Sequence, residues 1–404
     1  MPEEEVSAVS PKLGIWIAVA VAICHLGLAL WFASITPYRT GGVLLSYRDP
    51  KDRSQPLHVN DIGAPDERQH ANYVAALLSG QGFPVLKKGD GEGYEDHQPP
   101  LYYVLEAGWL KLLGVSSVEA SGDGVKIRSL NCVIGAGEVI AVFLLGWWGF
   151  RRPEIGIAAA LFVALLPMNV ALSGAVSNDP LLIFLCSLTL AFCAKALQGG
   201  WNVKLALAVG VLVGLSILTK TTALALLPAV LVAVIMAGEG RPKPAAWAAA
   251  ILPMILIPLP WLIRNQSLYG DPFAISAFND AFVNSPQASA FIQGRGMVAY
   301  LTDMVLAYTS RSFFGVFGYM DIWLNEKHLP NFSTPNVLYR LLFAVSFVAF
   351  LGWIGSWKKV QYGKTNAVQI MNLTFFVVTG LLFLRFNLQY FQGQGRYLFP
   401  AIGP

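Results

Sequence analysis

Charged residues are scarce in this chain of 404 residues. Asp, Glu, Lys and Arg together make up 13% of the sequence, and hydrophobic residues make up 55%. Soluble domains contain about 25% charged residues, so the composition excludes a soluble globular protein. The formal net charge of +4 is small and is not gathered into a basic stripe. We therefore expect no nucleic-acid partner.

Cysteine is also rare, and the four cysteines form no binding pattern. Cys24, Cys132, Cys186 and Cys193 all lie inside apolar runs, without CxxC or Cys/His ligand spacing. We expect neither a disulfide framework nor a zinc knuckle. Internal repeats are lacking as well, which weakens the case for an inverted-repeat transporter.

What the sequence has in quantity is apolar runs of membrane length, such as 13–38 and 365–384, which carry no charged residue. Each run can cross the hydrocarbon core as a helix. We predict an all-α polytopic membrane protein with at least nine transmembrane helices. A tenth begins near Tyr397 and is cut off at Pro404, which predicts longer natural relatives. The nine predicted spans are 14–34, 128–150, 155–175, 180–198, 203–219, 221–237, 245–263, 337–356 and 368–384.

Basic residues assign the two sides of the membrane. With the N-terminus inside, every short cytoplasmic connection carries Lys or Arg, as the positive-inside rule requires. The long outer segments, and the loop 385–396, then lie outside, so we expect the chemistry on the extracytoplasmic face of a bacterial inner membrane. The predicted organisation is a tail and first span (1–34), an outer segment with interfacial helices (35–127), spans two to seven (128–263), a second outer segment (264–336) and C-terminal spans (337–404).

The first outer segment is too polar to be a simple connector. It carries twelve of the 24 acidic residues, together with His58, His70 and His97, so we expect a folded, solvated subdomain. Within it, 101–113 predicts an interfacial helix, because the preceding proline can open a helix and the apolar residues lie on one face. At about 14 residues this helix is too short to span a membrane.

A first polar group stands at 66–70, with the sequence Asp-Glu-Arg-Gln-His. In a helix, Asp66 and His70 lie one turn apart on one face, so a carboxylate could accept a proton while the histidine tunes or orients it. The alternative is a helix start with acidic residues near its positive end.

A second polar group is 96–103, with the sequence Asp-His-Gln-Pro-Pro-Leu-Tyr-Tyr. Its two tyrosines suit a membrane interface or sugar stacking, and the alternative is an ordinary capped interfacial helix. His97 with Asp96 or Glu67 could ligate a divalent metal, but no HxxxH or HxH spacing indicates one. No certain cofactor is predicted, and a divalent metal stays an open alternative.

Charged residues at the outer ends of spans form a third group, which includes the carboxylate of Asp179. An isolated Lys or Arg there can simply snorkel to the interface. Several together are harder to explain, since positive-inside bias disfavours basic residues in short outer turns. They indicate an anionic partner such as a phosphate. The cations of this group are Lys220, Arg264, Arg311, Arg385 and Arg396, with Arg128 opening the second span.

Read together, these segments resemble the GT-C superfamily of membrane glycosyltransferases, close to the protein O-mannosyltransferases and the bacterial aminoarabinose transferase acting on lipid A. The likeness covers nearly the whole chain. In the aminoarabinose transferase pattern a Lys precedes the two prolines, whereas this chain has Gln98 there. The segments that carry the resemblance are Asp66-Glu67, 99–103, Arg128, Asn178-Asp179, 218–220, 260–261, 264–265, 269–270, 312–318 and 394–400.

The resemblance implies a GT-C-type bundle and an inverting transfer from a polyprenyl-phosphate monosaccharide to a lipid, glycan or protein acceptor. Asp66 would be the general base, since a positioned base contributes about 10² to 10⁴-fold. Glu67 and Asp179 are the further predicted catalytic carboxylates, and fixed cations would bind the leaving phosphate. The predicted phosphate-binding residues are Arg128, Lys220, Arg264 and Arg396, and the predicted substrate-binding residues are His70, His97, Gln98, Tyr102 and Tyr103.

Two other functions stay open on the sequence. A transporter or flippase could move a lipid-linked sugar without forming a bond, and Glu138 is the main charged residue near the bilayer midplane that such a function would need. A non-catalytic receptor could instead bind a glycan or peptide through its outer loop, with the carboxylates merely structural.

Overall fold

The computed structural model describes residues 9–49, 52–87, 89, 91–282, 285–324, 336–359 and 363–404. Helices carry most of these residues, which confirms the predicted all-α class. In chain order the helices are α1 (Pro11–Ile35), α2 (Glu67–Leu78), α3 (Leu101–Leu112), α4 (Gly124–Phe150), α5 (Pro153–Leu165), α6 (Pro167–Ser173), α7 (Asp179–Gly199), α8 (Val203–Thr219), α9 (Leu226–Ile235), α10 (Pro244–Leu256), α11 (Leu259–Tyr269), α12 (Ile275–Ala281), α13 (Ala288–Arg295), α14 (Met297–Ala299), α15 (Ala307–Gly315), α16 (Val337–Lys359) and α17 (Lys364–Gln389).

Each of the nine predicted spans coincides with helix. Among the described residues, six helices are long and apolar enough to cross a membrane, when α10 and α11 count as one. Two further apolar stretches, Val203–Ile217 and Thr221–Ile235, are shorter. The class of fold therefore follows from the apolar runs. In a bilayer core, a helix is the main way for a single segment to hydrogen-bond its own backbone N–H and C=O groups.

The third predicted span is broken rather than continuous. α5 ends at Leu165, α6 begins at Pro167, and the two helices are bent by 69° relative to one another. Proline lacks an N–H and cannot continue a helix without loss of a hydrogen bond. It suits the first position of a new helix, which is where Pro167 stands.

The structure also differs from the prediction in two later spans. The sixth predicted span is a 3₁₀ helix (Thr221–Ala225) leading into the short α9. Near Tyr397, where the sequence predicts the start of a tenth span, the structure has a 3₁₀ helix (Gly395–Ala401) that contains Pro400. Proline disfavours α-helical backbone in the residue before it, which explains why no regular α-helix forms here.

The first outer segment is a small subdomain built on α2 and α3. An antiparallel hairpin, β1 (Gly42–Arg48) with β2 (Pro56–Val59), precedes it. α2 and α3 share a core of fully buried side chains that includes Tyr73 and Leu110, whereas Leu112 is 83% exposed. The helix predicted at 101–113 is confirmed, and its location at the membrane interface stays a prediction.

α4 is the central helix of the bundle and packs against α1, α5 and α7. Small residues let these helices approach closely, as is usual between helices in membranes. A Cβ atom on Gly146 of α4 would lie 2.7 Å from the Cα atom of Gly156 of α5. A second unit, which the predicted topology places outside, follows α11 and comprises α12 to α15 and the short hairpin β3 (Val316–Phe317) with β4 (Ile322–Trp323).

The predicted topology can be tested by labelling single cysteines. We replace the four native cysteines by alanine and introduce Ser79→Cys or Lys243→Cys, because both positions are exposed and the positive-inside rule places them on opposite sides. A membrane-impermeant maleimide added to intact cells should label Ser79→Cys. It should label Lys243→Cys only after the membrane is opened, and labelling of that variant in intact cells would contradict the topology.

Candidate active site

Asp66 lies at the junction between the outer subdomain and the membrane helices. It precedes α2 with φ 64° and ψ −4°, a left-handed backbone that is uncommon outside glycine. Its carboxylate contacts the Arg396 guanidinium and accepts a hydrogen bond from the Tyr94 hydroxyl. Burial alone would raise the pKa of Asp66, but these partners hold it below its ordinary value of 3.8. Asp66 is therefore ionised at neutral pH.

Three more charged side chains continue from this carboxylate. Arg396 Nη1 lies 4.0 Å from Asp179 Oδ2, and Lys220 Nζ lies 2.5 Å from Asp179 Oδ1. The result is a row of alternating charges, Asp66, Arg396, Asp179 and Lys220, which we call the charged quartet. Its side chains are 28%, 4%, 9% and 16% exposed, in that order. The most accessible member is thus the carboxylate of Asp66.

The quartet draws on four separate parts of the fold. Asp66 precedes α2, Asp179 opens α7, Lys220 follows α8, and Arg396 belongs to the 3₁₀ helix after α17. The Ser177 hydroxyl accepts a hydrogen bond from the Asp179 N–H at 3.2 Å, at the start of α7. Four of the sequence-predicted site residues thus meet at the ends of membrane helices.

Glu67 and Arg128 form a second, fully enclosed ion pair beside the quartet. Arg128 Nε lies 2.7 Å from Glu67 Oε1 and Arg128 Nη2 lies 2.6 Å from Glu67 Oε2, and both side chains are 1% exposed. Glu67 Oε1 also accepts a hydrogen bond from the Val176 N–H at 2.9 Å. Such a bidentate pair is among the strongest side-chain interactions.

Arg128 has no donor left for a phosphate. Its remaining three hydrogen bonds go to the carbonyls of Ala33, Thr36 and Pro37 at the end of α1, at 2.7 to 2.8 Å. A guanidinium has five N–H donors, and all five are used here. The prediction that Arg128 binds phosphate is therefore corrected, and Glu67, enclosed with it, is its structural partner rather than a reacting group.

His70 lies one turn along α2 from Asp66 and is held by Tyr103. Its Nδ1 atom lies 2.8 Å from the Tyr103 hydroxyl. Burial lowers the pKa of His70 below its ordinary value of 6.5, so the ring is neutral at pH 7. The structure thus places His70 near Asp66, the carboxylate that the sequence analysis predicted beside it on one helix face.

Tyr102 and Tyr103 cannot stack on a sugar in this arrangement. Both are 0% exposed in the core between α2 and α3. The Tyr103 ring is stacked on Tyr73 with centroids 3.7 Å apart. Their prediction as substrate-binding residues is corrected, because both side chains are enclosed in the core between α2 and α3.

His97 and Gln98 lie in the segment that leads into α3. The His97 Nδ1 atom lies 2.8 Å from the Tyr94 carbonyl oxygen, and burial lowers the pKa of His97 to about 4. The Gln98 side chain accepts a hydrogen bond from Asn178 at 3.3 Å. Gln98 is thereby linked to the residue that precedes Asp179, and it is 9% exposed.

Arg264 serves a different part of the outer surface. It donates hydrogen bonds to the carbonyls of Phe83 and Pro84 at 3.1 and 2.7 Å and lies over the Trp261 ring. No contact in the described part of the chain joins Arg264 to the charged quartet. Arg264 therefore stabilises the loop after α2 that contains Phe83 and Pro84.

The candidate metal ligands His97, Asp96 and Glu67 do not form a metal site among the described residues. Glu67 is occupied by Arg128 and the Val176 N–H, and His97 contacts a carbonyl. Within residues 9–404, apart from the gaps given above, no group of three or more His, Cys, Asp and Glu side chains could hold a metal ion.

Sequence reasoning missed Tyr94, whose hydroxyl contacts Asp66. The residue stands in a run of glycines and acidic residues, 89–96, which reads as a loop. A 3₁₀ helix (Tyr94–His97) places it against α2. In the sequence, the signal that could have identified Tyr94 as a site residue was its position two residues before the Asp96-His97 group.

Replacing Glu67 by Gln should destabilise the protein strongly. The variant leaves the Arg128 charge buried without its partner, which costs about 3 to 5 kcal/mol. Denaturant titration in detergent would measure the change. The matched control is Asp123→Asn, which removes an exposed ion pair with Lys126 and should cost less than about 1 kcal/mol. Equal stability of the two variants would contradict the assigned role of the buried pair.

The sequence and the fold were compared with known proteins. Residues 97–263, less than half of the chain, match the family model for dolichyl-phosphate-mannose-protein mannosyltransferase. This region contains α3 to α10, with Asp179 and Lys220. A comparison with curated protein sequences gives no match.

Several solved structures share the fold. ArnT from Cupriavidus metallidurans, bound to undecaprenyl phosphate, is 15% identical, with a TM-score of 0.52 over 98% of this chain and 59% of that chain. The Archaeoglobus fulgidus oligosaccharyltransferase in its apo form is 13% identical, with a TM-score of 0.55 over 98% of this chain and 49% of that one. The same enzyme tethered to an acceptor peptide with the NVT sequon is 12% identical, with a TM-score of 0.57 over 98% and 48%.

This chain therefore spans between about half and three fifths of the length of the proteins whose structures it matches. At these identities the comparison concerns the fold. Together, the family match over 97–263 and the shared architecture confirm the predicted resemblance to the GT-C superfamily, whose fold this chain has.

Proposed function

We propose that this protein transfers a monosaccharide from a polyprenyl-phosphate donor to an acceptor hydroxyl on the extracytoplasmic face of a membrane. The observation that carries the proposal is the charged quartet, which combines an accessible carboxylate with two cations at the ends of membrane helices. A lipid-linked phosphate presents its head group at this depth, where water and hydrocarbon meet.

Asp66 is the proposed general base. An acceptor hydroxyl attacks the anomeric carbon and forms the new C–O bond while its proton passes to the Asp66 carboxylate. The bond from the anomeric carbon to the phosphate oxygen breaks, and its electron pair leaves with the polyprenyl phosphate. Attack opposite the leaving group inverts the anomeric centre. Ionisation of Asp66 at neutral pH, which follows from its lowered pKa, prepares it for this role.

Arg396 and Lys220 are the proposed cations for the departing phosphate. Each is paired with a carboxylate, and neither is enclosed by backbone carbonyls as Arg128 is. A phosphate can replace Asp66 at Arg396 and bind a further donor of the Lys220 ammonium, since phosphate and carboxylate oxygens both accept charge-assisted hydrogen bonds. Asp179 then keeps both cations aimed at the phosphate, and preorganised charge of this kind accounts for most of the rate acceleration in many enzymes.

The donor class rests on two comparisons. The matching family description names a dolichyl-phosphate-linked mannose, and the ArnT structure contains undecaprenyl phosphate. Both are sugar-carrier lipids with one phosphate attached to an isoprenoid. An acceptor on lipid, glycan or protein fits the same chemistry, and the matched oligosaccharyltransferase structure carries an acceptor peptide. Another solved form of that enzyme contains Zn and sulfate, and our proposal routes no step through a metal.

A transporter function has less support. Glu138, the charged residue expected near the midplane, is 0% exposed and accepts a hydrogen bond from Asn169 at 3.2 Å. Residues on a transport pathway line a water-filled cavity. Glu138 instead belongs to the interior packing of the bundle.

The replacement Asp66→Asn should abolish transfer while leaving the fold intact. Asparagine tolerates left-handed backbone, so the variant keeps the local structure and loses the base. We expect transfer from a polyprenyl-phosphate sugar to fall by about 10² to 10⁴-fold. Incorporation of a radiolabelled sugar in membranes would measure it, with size-exclusion profiles to check folding.

Asp123→Asn is the matched control for this experiment, since Asp123 is an outer carboxylate away from the quartet. It should transfer sugar at the native rate. Turnover by Asp66→Asn within a few-fold of the native rate would refute the assignment of the base.

The acidic limb of the pH profile should depend on Arg396. The pKa of Asp66 lies below 3.8, so native kcat/KM should fall only when the pH drops below that value. In Arg396→Gln the burial effect on Asp66 is no longer opposed by the cation, so its pKa rises. The residual activity of this variant should then be lost at a higher pH than native activity. An unchanged acidic limb would show that Asp66 does not govern it.

A further inference from the structure

Three of the polar side chains buried within the membrane helices lie at the break between α5 and α6, and the proposed reaction does not use them. They are His25 of α1, Glu138 of α4 and Asn169 of α6, and each is 0% exposed. Polar groups at this depth are costly unless they have partners, and they are kept where they serve a purpose. Their hydrogen bonds show which parts of the backbone they stabilise.

His25 and Asn169 both bind backbone carbonyls at the end of α5. The His25 Nδ1 atom lies 2.8 Å from the Ala164 carbonyl oxygen. The Asn169 Nδ2 atom donates to the Val163 carbonyl oxygen at 3.2 Å. Both contacts are therefore directed at the last turn of α5, where the chain bends by 69° into α6.

The break deprives both of these carbonyls of their helical partners. In a continuous α-helix, the N–H of residue 167 would bind the carbonyl of Val163, and the N–H of residue 168 would bind that of Ala164. Pro167 has no N–H, and α6 starts in a new direction. The side chains of Asn169 and His25 thus each supply a hydrogen-bond partner to one of these two carbonyls.

The remaining contacts fix these two donors. Glu138 Oε1 accepts the second hydrogen bond of the Asn169 amide at 3.2 Å, and His25 Nε2 lies 3.1 Å from Ser173 Oγ. Gly135 of α4 leaves the room for this arrangement, since a Cβ atom there would overlap Ser173 Oγ. Helices α1, α4 and α6 thus meet at the break through polar contacts.

The direction of α6 determines where the following segment runs. Residues 174–178 connect α6 to Asp179, and side chains bind their backbone at three points. The Val176 N–H binds Glu67, and the carbonyls of Ala175 and Ser177 accept hydrogen bonds from Asn131 at 2.5 and 2.8 Å. Asp179 then contacts Lys220. A continuous helix through Pro167 would carry this segment along a different path.

We propose that His25 and Asn169 are positioning residues for Asp179. They hold the break between α5 and α6 and so direct the chain that brings Asp179 to Lys220 and Arg396. The consequence for sugar transfer rests on the proposed function, whereas the consequence for the distance between Asp179 and Lys220 does not.

The test separates the effect on protein stability from the effect on the position of Asp179 by restoring the N–H that residue 167 lacks. Asn169→Leu removes the donor to the Val163 carbonyl and should lower the thermal midpoint in detergent. The double variant Asn169→Leu with Pro167→Ala regains an N–H at residue 167, so its midpoint should rise back toward the native value. The α5–α6 bend should open, however, and Asp179 should move away from Lys220.

A zero-length carbodiimide cross-link between Asp179 and Lys220, identified by mass spectrometry, reports their contact without any assumption about catalysis. The native protein should give the cross-link, and Asp179→Asn should not. The double variant should lose most of it, and sugar transfer should fall by about 100-fold, a typical result of misplacing a catalytic group by about 1 Å. A native cross-link yield in a stable double variant would overturn the proposal.

A second variant keeps the proposal testable if the double variant does not fold. His25→Phe retains a ring of similar size and loses the donor to the Ala164 carbonyl, and it should also reduce the cross-link. Cys24→Ser, on the exposed side of the same helix, is the matched control and should leave both readouts unchanged. A native cross-link in His25→Phe would count against the proposal. A native protein that cross-links but transfers no sugar would refute the proposed function alone.

Discussion

The buried ion pair between Glu67 and Arg128 is the interaction on which the rest of the site depends. Charges enclosed at this depth are tolerated only when every donor and lone pair is used, and here all five guanidinium donors are bound. The pair therefore ties the end of α1, the start of α2, the start of α4 and the segment before α7 together. Asp66, the residue next to Glu67, takes its place from this junction.

The charged quartet differs from this enclosed pair, because an anion could replace one of the carboxylates that its cations contact. Arg396 and Lys220 each face a carboxylate of Asp66 or Asp179, and part of the Asp66 side chain is open to solvent. An anionic head group can enter such a row by replacing one carboxylate contact with another of the same kind. One ion pair thus provides rigidity, and in the proposed function the neighbouring row provides binding and proton transfer.

Several polar groups inside this bundle bind the backbone where it leaves regular helix. His25 and Asn169 bind the carbonyls freed at the α5–α6 break, and Arg128 binds three carbonyls at the end of α1. A membrane offers no water to satisfy such groups, so each departure from helix needs a side-chain partner. These departures bring the connecting segments, and with them the charges of the quartet, to one boundary.

The sequence by itself determined the helical class, the approximate places of the apolar spans and a set of candidate charged residues that includes the quartet, because apolar run length and outlying charge are local properties of the chain. It did not distinguish Arg128 from Arg396, since both are arginines at outer span ends. Tyr102 and Tyr103 likewise read as interfacial until the packing of α2 on α3 enclosed them. Only the tertiary structure decided which cations have all donors filled, because the partners come from residues far away in the chain.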